Sequence, residues 1–274
     1  MLLLSLSNRG LNLWAVERVL SGLVAGQATY VMPSGTLEIL NVIYSQPTLQ
    51  DGALVAISGG AAKVVPLSTA IRIGVLFSSP YTGALSLTGT SNTLVSVNSD
   101  SYVAGLWYWF DLPVATADTY FGVTGASPGI QDIGVVILLR DLPMTPINRD
   151  TYMSLPNKAQ QSRPSVNYWF EKKLSPQNTL WPVPNNNVDH LTLMRHRQVQ
   201  DVGTLSQQIE VPSRWLEAIT WQLSLRLAFE LPGIDPARIQ LVNSMAGQYL
   251  FEDELGETDG MPSQIMPRIA PYTR

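Results

Sequence analysis

Cysteine is absent from this chain of 274 residues. Its absence excludes disulfides, thiolate metal sites and a cysteine nucleophile. No stretch approaches 18 consecutive apolar residues, so the sequence contains no candidate membrane span. The opening MLLLSLSNRG has an apolar run of only three leucines. No basic region precedes this run and no small-residue cleavage site follows it, so it does not resemble a signal peptide. We therefore expect a soluble protein that is made in the cytoplasm.

Charged residues are scarce. They make up 14% of the chain, against about 25% in an average protein. This scarcity has two explanations: a β-rich protein with polar but uncharged turns, or a protomer with charge-depleted interfaces. Residues 1–140 hold only 5 of the 17 basic residues and 7 of the 21 acidic ones. The nearly uncharged first half and the more charged second half indicate a domain boundary between them. The net charge of −4 is not the positive charge that is typical of a nucleic-acid-binding protein.

Residues for catalysis and metal binding are few. The only histidines are His190 and His196, which share one face of a predicted strand near Asp189 and Asp201. Ordinary strand histidines are favoured over a zinc pair. No G-x-S-x-G elbow is present, and the Gly-rich segment at 58–60 lacks the P-loop pattern. We expect no enzyme activity, no metal and no cofactor.

One acidic cluster permits an enzymatic alternative, because glycoside hydrolysis needs two carboxylates at a suitable separation. Its members are Glu252, Asp253, Glu254, Glu257 and Asp259. No aromatic platform separates them. A solvated helix end or a charged contact is favoured over lysis of the cell wall.

The first half of the chain is dominated by predicted strands. Residues 2–24 have apolar positions spaced by three and four, which predicts a helix over 2–20 that ends at Gly22 and Gly26. Two short strands follow around the Pro33-Ser34-Gly35 turn. From about Gln46 to Leu142, short β-rich runs alternate with Gly, Ser, Asn and Pro every 8–12 residues. This spacing predicts a β-sandwich or jelly roll.

The segment GLWYWFDLP alternates in a way that gives a strand two aromatic faces. Trp107 and Trp109 share one face, and Tyr108 and Phe110 share the other. Core packing is the favoured role. The alternative is that Trp107 or Trp109 stacks on a sugar, which would make the sandwich a host-glycan-binding module.

The second half mixes helices and strands. Asn148 is a plausible N-cap of a short helix that Pro156 ends. VNYWFEKK, NTLWPVP and DHLTLMRHRQV predict three strands of an antiparallel meander. Helices are predicted over 213–230 and from Pro236 to about Leu255. The first of these should pack on the second and on residues 2–20, and the Pro-rich tail should be extended.

Four basic residues lie on two of the predicted meander strands: Lys172, Lys173, Arg195 and Arg197. They could line a groove or channel that carries nucleic acid. A surface salt-bridged to Glu171, Asp189 and Asp201 is favoured.

Several motifs of the second half occur together in a characteristic order. They are Asn148-Arg149-Asp150, Tyr152, Leu155-Pro156-Asn157-Lys158, Arg163-Pro164, Tyr168-Trp169-Phe170, Leu180-Trp181-Pro182-Val183-Pro184, Arg195 to Asp201, Val211-Pro212, Arg214-Trp215 and Tyr272-Thr273-Arg274. On these residues the chain resembles the head-to-tail adaptor proteins of short-tailed double-stranded DNA phages, also called tail tubular protein A. The resemblance covers about 148–274, and Tyr30, Pro33 and Gly35 extend it weakly.

The resemblance implies an assembly role in the virion tail, at the head–tail interface. Such adaptors form a ring, usually of twelve copies, between the portal protein and the tail nozzle protein. The ring closes the head, offers a platform to tail fibres and encloses a lumen in which packaged DNA could lie. The tail of the chain would reach the portal through Gln264, Ile265, Met266, Pro267, Arg268, Tyr272 and Arg274. Interprotomer or nozzle contacts would fall on Trp181, Arg195, Arg197, Arg214 and Trp215.

The predicted architecture is therefore α+β. Residues 1–45 and 143–255 would form the adaptor core, a small helical bundle with an antiparallel β meander. Residues 46–142 would be an inserted β-sandwich, similar to galactose-binding-like jelly rolls, and 256–274 an extended arm. Family members usually begin with a further long helix before the segment that matches Leu2–Leu20. We therefore expect a shortened start or a smaller bundle.

Overall fold

A computed structural model describes residues 15–112, 117–125, 129–198 and 211–256. The chain divides into two compact units. The first, called here the β unit, comprises residues 16–197. The second, called here the helical unit, combines residues 1–15 with 198–274.

The β unit is built from strands and one short helix. Its strands are β1 (Val16–Gly22), β2 (Thr29–Val31), β3 (Thr36–Gln50), β4 (Ala53–Ile57), β5 (Gly60–Thr69), β6 (Arg72–Phe77), β7 (Tyr81–Thr88), β8 (Thr93–Tyr102), β9 (Trp107–Asp111), β10 (Ala117–Gly125), β11 (Ile130–Pro143), β12 (Thr145–Pro146), β13 (Gln161–Ser162), β14 (Asn167–Glu171), β15 (Gln177–Trp181), β16 (Val183–Pro184) and β17 (His190–Arg197). Helix α1 spans Arg149–Ser154.

The largest sheet joins segments that the sequence assigns to different domains. It has six strands in the order β1-β17-β3-β11-β6-β9, and its ladders are antiparallel. The predicted boundary after residue 45 falls within the continuous strand β3, and the one after residue 142 falls within β11. These two strands pair with each other from Gln50 with Val135 to Ile43 with Pro143. The predicted insertion and the predicted core therefore share one sheet.

A second sheet of five strands, in the order β4-β5-β10-β7-β8, completes the first core. Ile73, Val75 and Phe77 of β6 pack there with Leu85 of β7 and Phe121 of β10. Buried side chains thus come from both sheets, an arrangement compatible with the predicted β-sandwich.

A second core lies between the six-stranded sheet and a four-stranded sheet of order β12-β14-β15-β2. Tyr44 and Leu191 pack there with Tyr168 and Leu180. β14 and β15 form the antiparallel pair that the sequence predicts. The predicted meander is wrong for its third strand, because β17 pairs with β3 and β1 in the six-stranded sheet.

The predicted N-terminal helix is wrong for the part that the structure describes. Val16–Gly22 is strand β1, antiparallel to β17, with Val16 opposite His196 and Gly22 opposite His190. Pairing with a strand so distant in sequence overrides the local three–four spacing. Gly22 does not end a helix. A Cβ at this position would lie 2.3 Å from the carbonyl oxygen of Trp107, so only glycine allows β1 to approach β9 this closely. Residues 2–14 lie outside the described residues.

Helix α1 follows its sequence signals. The side chain of Asn148 accepts a hydrogen bond of 2.7 Å from the backbone N–H of Thr151. The helix ends at Ser154, ahead of Leu155 and Pro156. The predicted cap and end are both confirmed.

The described part of the helical unit contains a short 3-10 turn and two helices. The turn spans Ser213–Trp215, α2 spans Leu216–Glu230, and α3 spans Pro236–Gly256. Both predicted helices are confirmed, and they pack on each other through Trp215, Ile219 and Leu250. The predicted small helical bundle, which would also include a helix over 2–20, is not confirmed, because Val16–Gly22 is strand β1 and residues 2–14 lie outside the described range. The predicted arm after Gly256 lies outside it as well.

Candidate functional site

Arg195, predicted at a protomer or nozzle contact, is instead a structural residue of the β unit. Its side chain is buried, and its Nε–H donates to Glu17 Oε1 over 2.6 Å. One terminal nitrogen donates to the hydroxyl of Thr36 over 2.6 Å and to the carbonyl of Pro33 over 3.1 Å. Arg195 therefore ties β17 to β1 and to the turn before β3. A guanidinium used in this way is not available to a partner, so the predicted contact at Arg195 is wrong.

The other members of the predicted basic set are also paired. Arg197 lies 3.2 Å from Glu17, Lys172 lies 3.7 Å from Glu38, and Lys173 lies 2.7 Å from Glu171. The predicted salt bridges are confirmed only for Glu171, which pairs with Lys173. The other basic residues pair with Glu17 and Glu38, and Asp189 pairs with Arg163. Asp201 lies outside the described residues. A contact made by Arg197 stays a prediction.

The two tryptophans predicted at contacts differ from each other. Trp215 is buried against Ile219 and Leu250 inside the helical unit, so its assignment to a contact surface is wrong. Trp181 is half-buried, and its indole N–H donates to the carbonyl of Asn157 over 2.9 Å. Arg214 is exposed. Contacts made by Trp181 and Arg214 stay predictions. The predicted portal-binding residues at 264–268, 272 and 274 lie outside the described residues.

Trp107 and Trp109 do share one face of β9, as the alternation predicts, but that face is buried. The two indoles stack at 5.4 Å, and Trp109 stacks on the ring of His190 at 4.7 Å. Only 6% of Trp107 and 5% of Trp109 is exposed. Because stacking on a sugar requires an open ring face, the predicted glycan-stacking role is wrong for both residues. They form a small core with Val136.

The stack ends on a network of charged groups in which Arg72 and His190 are buried and Asp111 and Arg18 are partly exposed. Arg72 Nε donates to Asp111 over 2.8 Å, and Arg18 bonds to the same carboxylate over 2.9 Å. Arg72 also donates to Nε2 of His190. An arginine is always a donor, so Nε2 must be unprotonated and the imidazole neutral. Burial, and next the charge of Arg72, lower the pKa of His190 to about 3.

Asp189 is the centre of a second buried network. It is fully buried and accepts two bonds of 2.8 Å from Arg163, one of 2.7 Å from the hydroxyl of Tyr44 and one of 2.8 Å from Asn186. Burial and this carboxylate raise the pKa of Tyr44. Arg163 belongs to the motifs that carry the family resemblance. Part of that resemblance therefore comes from a residue that stabilises the fold of the β unit. Sequence reasoning missed this site because Tyr44 and Asp189 are 145 residues apart.

The exposed surface with the clearest binding character is on the two helices of the helical unit. Eight large apolar side chains on or beside them are between 46% and 70% exposed. This set, called here the hairpin apolar set, consists of Leu216, Leu223, Leu227, Phe229, Leu231, Leu241, Phe251 and Leu255. Leu216, Leu223 and Leu227 recur at intervals of seven and four, so they lie on one face of α2. Exposed apolar side chains at such density mark protein–protein contact sites.

Glu252 and Glu254, two described members of the acidic cluster, do not have the geometry of a glycosidase pair. Glu252, Asp253 and Glu254 are consecutive in α3. Positions two apart on a helix project about 200° from each other, so Glu252 and Glu254 do not face a common substrate. Glu252 accepts a hydrogen bond of 3.0 Å from Gln248. Glu257 and Asp259 lie outside the described residues.

Across the described ranges, no group of three or more His, Asp or Glu side chains could hold a metal ion. In the same ranges, neither α2 nor α3 is long and apolar enough to cross a membrane. Comparison of the chain with protein-family models and with curated proteins finds no match in either case.

Proposed function

We propose that this chain is a structural assembly protein, a head-to-tail adaptor of a short-tailed double-stranded DNA phage. In this proposal copies of the chain, twelve in the ring that the sequence resemblance implies, assemble between the portal protein and the tail nozzle protein. The ring closes the filled head, supports tail fibres and surrounds a lumen through which DNA passes. The protein is made in the host cytoplasm and ends in the virion tail.

The observation that carries the proposal is the hairpin apolar set. Full burial of one such side chain contributes about 1.5–3 kcal/mol, and these eight are about half exposed. Covering all of them would therefore contribute on the order of 10 kcal/mol before the cost of association is subtracted. We assign this surface to a contact with a neighbouring copy of the chain.

The chemistry of the β unit is consistent with a structural role. Its buried polar groups pair mainly with one another, as at Arg195 with Glu17 and at Asp189 with Arg163. These pairs hold strands together and leave no activated nucleophile or general base on Arg195, Asp189 or His190. A rigid β unit of this kind suits a platform onto which nozzle and fibres dock.

The proposal is tested by measuring the mass of the purified chain alone and after mixing with rings of the portal protein of the same phage. We expect the wild-type chain to join the portal as a ring of fixed copy number. A double variant, Leu223→Glu with Phe229→Glu, should lower the ring yield by about tenfold or more because each glutamate would be buried in a contact. A monomer in the absence of portal decides nothing, since ring formation can require the portal.

The matched control places the same changes on the β unit. Leu67 is 70% exposed and Leu138 is 63% exposed, against 49% for Leu223 and 70% for Phe229, so Leu67→Glu with Leu138→Glu adds the same charge at comparable exposure. This control should assemble normally. If the wild-type chain never joins a portal ring, the adaptor proposal is wrong. If both double variants assemble as the wild type does, the hairpin apolar set is not the contact.

A further inference from the structure

An open slot of about 730 Å³ lies within the β unit, between strands β1, β8 and β9. Its walls are formed by residues 18–20 of β1, 95–100 of β8 and 108–111 of β9, together with Tyr102. The ion pair between Arg18 and Asp111, at 2.9 Å, links β1 to β9. The slot uses none of the residues of the hairpin apolar set.

The pattern of lining residues shows how the strands border the slot. Successive side chains of a strand point to opposite faces, so a ligand lying on one face touches every second residue. Here six consecutive residues of β8, 95–100, line the slot, as do four consecutive residues of β9 and three of β1. The slot is therefore bordered by the edges of these strands and not by one face of a sheet.

All three strands are at the ends of their sheets. β1 and β9 are the two ends of the six-stranded sheet, and β8 is an end of the five-stranded sheet. β8 is ten residues long and contains neither lysine nor proline, two of the devices that keep an edge from pairing, although its register against β7 shifts between Val97 and Asp100 and between Thr93 and Val95. Its only charged residue is Asp100, which is exposed. Such an edge offers a row of backbone donors and acceptors to another strand.

Two buried polar atoms beside the slot have no partner in the described part of the chain. They are Nε1 of Trp109 and the hydroxyl oxygen of Tyr102. Both residues line the slot, and both are more than nine-tenths buried. Both atoms are sealed from solvent, so a carbonyl oxygen of a bound group would reach them only after the neighbouring side chains shift.

We propose that the slot binds one extended peptide segment of a partner protein, which adds as a strand to the free edge of β8. The six lining residues of β8 span about 20 Å, so the slot accepts about six residues of extended chain. β1 and β9 close the opposite side, which leaves room for a single segment and not for the edge of a second sheet. The β8 edge of a second copy is therefore not the occupant.

The residues that line the slot also indicate which side chains the peptide should carry. Val95 and Val97 favour β-branched or aromatic residues at alternate positions, as in other cross-strand pairs. Asp100, at one end of the lining stretch, favours a lysine or arginine at the corresponding end of the peptide. This binding mode does not depend on ring formation, so it goes beyond the assembly role proposed above.

The experiment uses the full chain and a panel of synthetic decapeptides. Each peptide is capped at both ends, and four alternate positions carry all combinations of Val, Thr, Tyr, Lys and Asp. Binding is measured by calorimetry, and hydrogen exchange is followed at the amides of residues 95–100. We expect lysine-containing β-branched peptides to bind with a Kd below about 1 mM and to slow exchange of those β8 amides that face the slot.

The decisive control changes the peptide and leaves the protein unaltered, so a loss of binding cannot result from misfolding of the protein. The best peptide is remade twice, with N-methyl groups on one set of alternate amides or on the other. Only one set faces β8, so one version should lose binding and the other should keep it. Equal binding of the two versions would overturn strand addition, as would failure of every panel member to bind. Strand addition would also be overturned if a saccharide slowed hydrogen exchange at the same amides and no peptide did.

Two variants locate the peptide on the protein. Asp100→Asn should weaken binding of lysine-containing peptides by about threefold and leave the lysine-free peptides unchanged. Asp51→Asn, at an exposed acid away from the slot, is the matched control and should change neither. An equal effect of the two substitutions would place the peptide elsewhere.

Discussion

The β unit and the helical unit use their side chains in opposite ways. In the β unit even charged groups are buried, and Arg72, Asp189 and Arg195 are each held by partners within the unit. In the helical unit the described core is small, and large apolar side chains such as Phe229 and Phe251 face solvent. A fold that pairs its polar groups internally is complete by itself. A helix pair with so much apolar surface outside is stabilised further when a partner covers it. This difference supports the proposal that the β unit is the framework and that the helices associate with a partner.

The largest effect should come from breaking the β unit at its most buried charge. Asp189→Ala removes a carboxylate that accepts two hydrogen bonds from Arg163 and one from the hydroxyl of Tyr44. The buried hydroxyl of Tyr44 then has no acceptor, whereas Arg163 can turn to water. We expect the free energy of unfolding to fall by about 3 kcal/mol, and Tm to fall by about 10 °C. Denaturant and thermal unfolding of the full chain would measure both.

The control for this prediction is an ion pair at the surface of the same unit. Glu38 lies 3.7 Å from Lys172, and the two side chains are 51% and 65% exposed. Glu38→Ala should cost less than about 1 kcal/mol, because solvent screens an exposed pair. Equal losses at Asp189 and Glu38 would contradict the distinction between the buried network and the surface.

The next effect in size depends on pH and concerns His190. Burial and the charge of Arg72 lower the pKa of His190 from 6.5 to about 3, so the folded imidazole stays neutral in mild acid. The unfolded chain binds a proton at this residue below about pH 6.5. The contribution of His190 to stability is therefore complete above pH 6.5 and is lost progressively as the pH falls towards 3. Between pH 7 and pH 4 the loss should reach about 3 kcal/mol.

The measurement compares the wild type with His190→Gln across that pH range. Glutamine does not titrate, and its oxygen can accept the hydrogen bond from Arg72 that Nε2 accepts in the wild type. The variant should be less stable at pH 7 and should lose less stability on acidification. Parallel pH profiles of the two proteins would show that His190 is not held neutral in the fold.

The sequence predicts well what local signals control. The Asn148 cap, the helix starting at Pro236 and the β14–β15 pair all follow from spacing and turn chemistry within a few residues. The packing of α2 on α3 is also as predicted, through Trp215, Ile219 and Leu250. In these places propensity and tertiary contacts favour the same structure.

The errors fall where distant segments decide the outcome. Val16–Gly22 has helical spacing but becomes a strand because β17, nearly 180 residues away, offers its edge. Arg195 looks like a surface cation on a strand, yet Glu17 and Thr36 enclose it. Trp107 and Trp109 share a face that packs in a core, as the favoured prediction has it, and only the glycan-stacking alternative fails. That alternative stayed open because period-2 alternation does not tell whether a face meets solvent or a second layer. No local pattern shows which segments pair at long range.

The smallest effect on stability should come from the helical unit, where Leu241→Ser tests whether exposed leucines contribute to the isolated fold. Leu241 is 60% exposed, so at low protein concentration the free energy of unfolding should change by less than about 0.5 kcal/mol. Leu250→Ser, at a buried position of the same helix, should cost about 2 kcal/mol or more.

If a neighbouring copy covers Leu241, the Tm of the wild type should rise with protein concentration and that of Leu241→Ser should rise less. Identical concentration dependence in both proteins would mean that Leu241 lies outside the contact. A large loss at low concentration would mean that this leucine supports the helix pair itself, and the contrast between the two units would then be weaker than their exposed surfaces suggest.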